Sequence, residues 1–242
     1  MGICCDTNNV EDNTVRDLPA PDVSTITDQY VRFEKQLPFA RITLKAFDEA
    51  CKEDGKYKET ITLEELAAKL TTPAWKDLAK PDSALAKILT SDVFAEEGAI
   101  RVPDLLLFAI LHCVSKKNEL RARILYELLQ DGGAAVHQQI SAQDKDFMPT
   151  FKKLCALATT DLFATIAADE IENAYGDDTE ALTDGDTLEG LGEDWLDVVY
   201  GDNSRLQYEA WVTMVAKEGS WLLDADALRT KVLEKVEVEK KH

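Results

Sequence analysis

Apolar residues recur at three- and four-residue spacing along most of the chain, a period that predicts helices rather than strands. In residues 100–140, Leu105, Phe108, Ala109 and His112 share one face of a helix, and Leu120, Ile124, Leu125, Leu128 and Leu129 share one face of the next. Only the polar break Ser115–Asn118 separates them, so the two helices must pack close together. Upstream, Tyr30, Val31, Phe33 and Leu37 start an apolar face that Pro38 interrupts, and Ile42, Leu44, Phe47 and Ala50 form the following one. Thr62 and Glu65 have capping-box spacing at the start of TLEELAAKL. Pro103 falls in a first turn, where its missing N–H costs nothing. Further helices are predicted over Ala84–Val93 and from Phe151 to about Tyr175. At the C-terminus Asp224 is placed to cap a helix with Leu228, Val232 and Val236 on one stripe.

Between these helices lie polar loops, each with one isolated aliphatic residue: Ile61, Ile100, Ile140 and Leu206. Helix, charged loop, lone aliphatic, helix, repeated four times over about residues 38–216, resembles the EF-hand superfamily of the calcineurin B-like or neuronal calcium sensor kind. An ordinary helical bundle also accommodates the helix pattern. The resemblance implies an all-α fold of two lobes, each a pair of helix-loop-helix units. It also implies that the aliphatic residues pair across neighbouring loops, Ile61 with Ile100 and Ile140 with Leu206.

The same resemblance fixes where cation ligands belong, because a twelve-residue calcium loop takes oxygen at set positions and a bidentate carboxylate at the twelfth. With Ile61 eighth, Asp54 and Glu65 stand first and twelfth in the first loop. Lys56 and Lys58 hold the third and fifth places, and Glu59 replaces the turn glycine. The second loop has Gly98 at the turn but Val93 and Ala95 at ligand places. The third has Gly133, Ala135 and His137 where oxygens belong, and only Asp144, at the twelfth place, is acidic. The fourth has Val199 first and Ala210 twelfth, leaving Asp202 and Asn203 without a cage. No loop keeps a full set, so no metal ligand and no cofactor is assigned; calcium enters only if irregular loops bind it.

Composition adds an acidic balance. The 242 residues carry 46 acidic against 27 basic side chains, a formal charge of -19, with no basic face for nucleic acid. Eight acidic residues lie in 176–194. Asp184-Gly185-Asp186 there looks like a loop start, but Leu188 and Trp195 fall at its fifth and twelfth places, and a solvated linker is the reading adopted. Five scattered cysteines make neither a disulfide framework nor a metal pair, and suit a reducing compartment. No apolar run approaches the ~18 residues of a membrane span.

The start, MGICCD, has the look of a dual acylation signal: myristate on Gly2, palmitate on Cys4 and Cys5. Asp6 stands where Ser or Thr is usual. A single myristoyl chain binds membranes only marginally, and the acidic flank offers no basic patch, so the cysteines would have to supply the second anchor. Residues 6–28 lack periodicity and contain Pro19 and Pro21, as a tether does. Such a coil reaches on the order of 25 Å.

No phosphate loop, nucleophile elbow or H-E-x-x-H run is present in the sequence, and an enzyme is not expected. His112 beside Cys113 is read as a satisfied core residue, since sequence neighbours on a helix diverge. The expected organisation is a tether (1–28), an N-terminal lobe (29–117), a C-terminal lobe (118–220) with the acidic insert 176–194, and a C-terminal helix (221–242). The expected role is a lipid-anchored adapter at the cytoplasmic face of a membrane, holding a protein partner in a hydrophobic groove between helix pairs. A membrane calcium sensor and a calcium-independent subunit of a cytoskeletal assembly are the alternatives.

Overall fold

The computed structural model describes residues 37–71, 83–130, 139–161 and 184–239, with residues 31, 34, 35, 73, 80 and 182. Among the described residues the fold is mostly helical, and three small antiparallel sheets accompany the helices, where an all-α fold with short loop pairings was expected. A 3₁₀ turn over Pro38–Arg41 follows the interruption expected at Pro38. Helix α1 is Leu44–Ala50, capped by the Thr43 hydroxyl, which accepts from Ala46 N–H. Strands β1 (Lys52–Glu53) and β2 (Lys56–Tyr57) form a hairpin, and β3 (Thr60–Ile61) leads into α2 (Leu63–Lys69). Both halves of the Thr62–Glu65 capping box are made. Helix α3 (Ala84–Leu89) is shorter than predicted, because the Thr90 and Ser91 hydroxyls bond back to the last carbonyls and a hairpin of β4 (Ala95–Glu96) and β5 (Ala99–Arg101) takes over.

Helix α4 (Val102–His112) is central. The spacing argument gave it one apolar face, but Val102 and every residue from Leu105 to Leu111 are buried, so it is covered all round. Helix α5 (Asn118–Leu129) keeps the predicted stripe, with Ile124, Leu125 and Leu129 buried and Leu120 and Leu128 packed at the margin. Strand β6 (Gln139–Ser141) precedes α6 (Phe147–Ala158), which starts one turn earlier than expected and ends at Thr159, whose hydroxyl bonds the Cys155 carbonyl. The predicted continuation of this helix towards Tyr175 falls outside the described residues beyond 161.

Helix α7 (Gly185–Tyr200) corrects the reading of the acidic segment. Residues 185–194, expected within a linker, are its first turns. Asp184 caps it, accepting from Thr187 N–H, and Leu188, Leu191 and Trp195 bury one face. Strand β7 (Arg205–Gln207) leads into α8 (Tyr208–Lys217). A 3₁₀ turn over Ser220–Leu223 precedes α9 (Ala225–Glu239), where Asp224 accepts from Ala227 N–H as predicted.

The sheets place the loops. Strand β5 lies between β3 and β4, with Ile61 opposite Ile100, and β6 pairs antiparallel with β7, with Ile140 opposite Leu206. Both expected pairings are therefore present. One continuous apolar cluster runs from Leu37 through α4 and α5 to Val236. Helix α9 lies against α6 and α7 with Leu228, Val232 and Val236 buried. Full burial of a Leu or Val is worth about 1.5–3 kcal/mol each, so this stripe holds the helix firmly.

Candidate functional site

The four loops are where the resemblance placed chemistry. In the first, Asp54 and Gly55 have φ of 51° and 79°, and Glu53 faces Lys56 across the hairpin. Two consecutive left-handed residues between paired strands make the type I′ turn that Asp-Gly favours. The first half of the twelve-residue loop frame is thus a tight hairpin, and Asp54 is exposed at its tip. Glu65, at the twelfth place, accepts from Thr62 N–H and lies 3.3 Å from Lys58 Nζ. The backbone bond, helped by the ammonium, holds its carboxyl below the usual carboxylate range. Lys58 Nζ also reaches Glu53 at 3.5 Å. Lys69 donates to the carbonyls of Ala50 and Lys52 at 2.9 and 3.1 Å, closing the end of α1 against the end of α2.

The second loop repeats this design. Glu97 and Gly98 have φ of 51° and 82°, and Glu96 faces Ala99. Arg101 Nε donates to Asp104, the twelfth-place residue, at 2.6 Å, and its Nη2 donates to the carbonyls of Val93 and Asp92 at 2.7 and 3.1 Å. Of the third loop, residues 131–138 lie outside the described set. Its twelfth residue, Asp144, accepts from Asp146 N–H. In the fourth, Asn203 donates from its side chain to the Tyr200 carbonyl, and Ala210 is exposed where a bidentate carboxylate would stand. Among the described residues no group of three or more His, Cys, Asp or Glu side chains could hold a metal ion.

Two charged clusters escaped the sequence reading. At the first, Tyr57 Oη lies 2.6 Å from Asp48 and 2.9 Å from Glu127, with Lys52 Nζ 2.9 Å from Asp48 and 3.1 Å from Glu127, and Arg123 3.3 Å from Asp48. One phenolic proton cannot serve both carboxylates, so the two cations balance them. Burial, reinforced by the carboxylates, drives the phenol far above its ordinary value. This cluster joins α1 and the first hairpin to α5. Its signal was Asp48, a carboxylate in the apolar face of α1.

At the second, Arg229 is fully buried, paired with Glu34 and donating to the Ala158 carbonyl at 3.0 Å. His112 lies 4.0 Å from Glu34, and its Nε2 has no hydrogen-bond partner among the described residues. The expectation of a satisfied histidine is met in burial but not in hydrogen bonding. Burial, with Arg229 and Arg121 adding, lowers its pKa to about 3, so it is neutral. Burial also raises the Glu34 carboxyl to about 7 against the pull of Arg229.

Cys51, Cys113 and Cys155 are buried free thiols, and burial pushes Cys51 up to about 12, which leaves it unreactive. Gly2, Cys4 and Cys5, the expected acylation residues, lie outside the described residues, as does all of 1–28, the expected tether. No described helix is long and apolar enough to cross a membrane. The large apolar side chains exposed among the described residues are Val114, Val198 and Val238, well separated in sequence. No family model, no curated protein and no solved structure matches this chain.

Proposed function

We propose that the chain is a lipid-anchored, EF-hand-like adapter that holds a protein partner without using calcium. The observation that carries this reading is the register of the short sheets. Ile61 faces Ile100 and Ile140 faces Leu206, with Ile61, Ile100 and Leu206 each two residues before a helix, while the places for cation oxygens hold Lys58, Ala95 and Ala210. A frame of paired loops with its ligand chemistry replaced suits a binding module rather than a sensor. In this reading the two pairs of units are two lobes, and α9 fills the space beside α6 and α7. The partner, an amphipathic helix, lies between helix pairs in the N-terminal lobe, or takes the place of α9.

The anchor rests on MGICCD. Acylated at Gly2, Cys4 and Cys5, the terminus holds the body within reach of the cytoplasmic face of a membrane. Fractionation of cells tests it. The wild type is expected with membranes, and Gly2→Ala, or Cys4→Ser with Cys5→Ser, is expected in the soluble fraction. A wild type already soluble would overturn the anchor and favour a subunit of a larger assembly.

A further inference from the structure

In each of the first two loops, a cation of the chain itself sits on the acidic residue that opens the following helix. Lys58 Nζ lies 3.3 Å from Glu65 in the first turn of α2 and 3.5 Å from Glu53 at the start of the loop. Arg101 spans 2.6 Å to Asp104 in the first turn of α4 and 2.7 Å to the Val93 carbonyl at the start of its loop. The two loops differ in sequence and use different cations, yet each tie runs from loop start to helix start. Each also crosses a hairpin with two left-handed residues at its turn. A divalent cation would make the same connection through oxygens, drawing the twelfth-place carboxylate to the first residues of the loop.

We propose that Lys58 and Arg101 are chain-borne replacements for a loop cation, tying the helices that leave the first two loops into one fixed arrangement whatever the calcium concentration. The inference rests on the loop frame of the proposed function and adds a mechanism to it. Calcium binding in a sensor shifts the outgoing helix by pulling on that carboxylate. Here the pull is permanent. A lysine needs only to place a point charge between Glu53 and Glu65. An arginine can hold a carboxylate through one nitrogen and backbone carbonyls through another, as Arg101 does with Asp104, Val93 and Asp92.

Amide hydrogen exchange on the full chain, in EDTA and in 1 mM CaCl₂, tests this through two double-mutant cycles. One uses Lys58→Met and Glu65→Gln, since glutamine keeps the capping box; the other uses Arg101→Met and Asp104→Ala. The wild type is expected to exchange equally in both buffers. Each single variant is expected to speed exchange in its own hairpin and following helical turn by about two- to five-fold, the range for partly exposed ion pairs. Each double variant is expected to go little further than its singles, because both remove one tie. Lys58→Arg is expected to restore protection. Additive effects within a cycle would overturn the tie. Slower wild-type exchange in CaCl₂ would overturn calcium independence. Neither outcome depends on membrane fractionation, so the anchor of the proposed function stands or falls separately.

Discussion

Glu34 lies against Arg229 of α9 and His112 of α4, and their burial makes the protein's stability depend on pH in two opposing ways. Glu34 is raised from 4.5 to about 7 in the folded chain. Below 4.5 both states hold the proton; between 4.5 and 7 only the folded state does, so stability falls as pH rises through that window. His112 is lowered from 6.5 to about 3, so stability falls as pH drops from 6.5 towards 3. Between 4.5 and 6.5 the two slopes oppose each other. Replacing Glu34 by Gln removes one of them. Denaturant unfolding at a series of pH values should show the variant gaining on the wild type from pH 4.5 to 7, by on the order of 2–3 kcal/mol. A difference that stays flat would show that Arg229 keeps Glu34 ionised throughout. His112 was legible as a buried residue from its place on the apolar stripe. Glu34 and Arg229 were not, because a charge beside a helical stripe reads as surface until a second charge from 195 residues away is brought against it.

At the scale of elements, spacing located the helices well and the strands hardly at all. A two- or three-residue strand has too few positions to show a period, so β1, β2 and β4 passed as loop. Yet Asp54-Gly55 is the strongest short hairpin signal, and the twelve-residue loop frame hides it by making Asp54 the first residue of a longer loop. Glu97-Gly98 is weaker as a signal, since glutamate seldom takes positive φ. The acidic start of α7 was hidden for a related reason: charge density spoke for a linker while Leu188, Leu191 and Trp195 carried the helical period. The hairpins give a direct test. Gly55 and Gly98 have positive φ and open space around them, so a methyl group adds only backbone strain. Gly55→Ala and Gly98→Ala should each cost about 1 kcal/mol, a fall in Tm of roughly 2–4 °C for a chain of this size. No loss at Gly55 would mean that the turn is not type I′. The hairpins also bear on calcium. With an ammonium ~4 Å from the ion place, repulsion of several kcal/mol at a surface dielectric raises Kd far beyond micromolar. Titration calorimetry should give no saturable heat with micromolar Ca²⁺. A signal lost on changing Glu65 to Gln would place a working site in the first loop.

At the scale of the molecule, the two halves are bound together more closely than two lobes on a linker would be. The apolar cluster is continuous, α4 touches α6, and α1 touches α5. The polar cluster of Asp48, Lys52 and Tyr57 against Arg123 and Glu127 crosses the same boundary, and Arg121 donates to both the Cys113 and Leu223 carbonyls. Periodicity could not reveal this, because it says which face of a helix is buried but not which helix covers it. A shared core implies that neither half opens alone, and a single cooperative transition is the expected result. Two probes can separate the halves once Trp75, the one tryptophan of the N-terminal half, is replaced by Phe in every protein compared: Trp195, Trp211 and Trp221 then report fluorescence from the C-terminal half, whereas far-ultraviolet circular dichroism reports every helix. Their denaturation curves should coincide in that background. Removing the junction phenol with Tyr57→Phe leaves Asp48 and Glu127 with one hydrogen bond fewer, at a cost of about 1–3 kcal/mol. If the halves are one unit, that change in the N-terminal half lowers the tryptophan midpoint and the dichroism midpoint together. If the tryptophan midpoint stays where it was while the dichroism curve splits in two, the halves fold independently and the junction couples nothing.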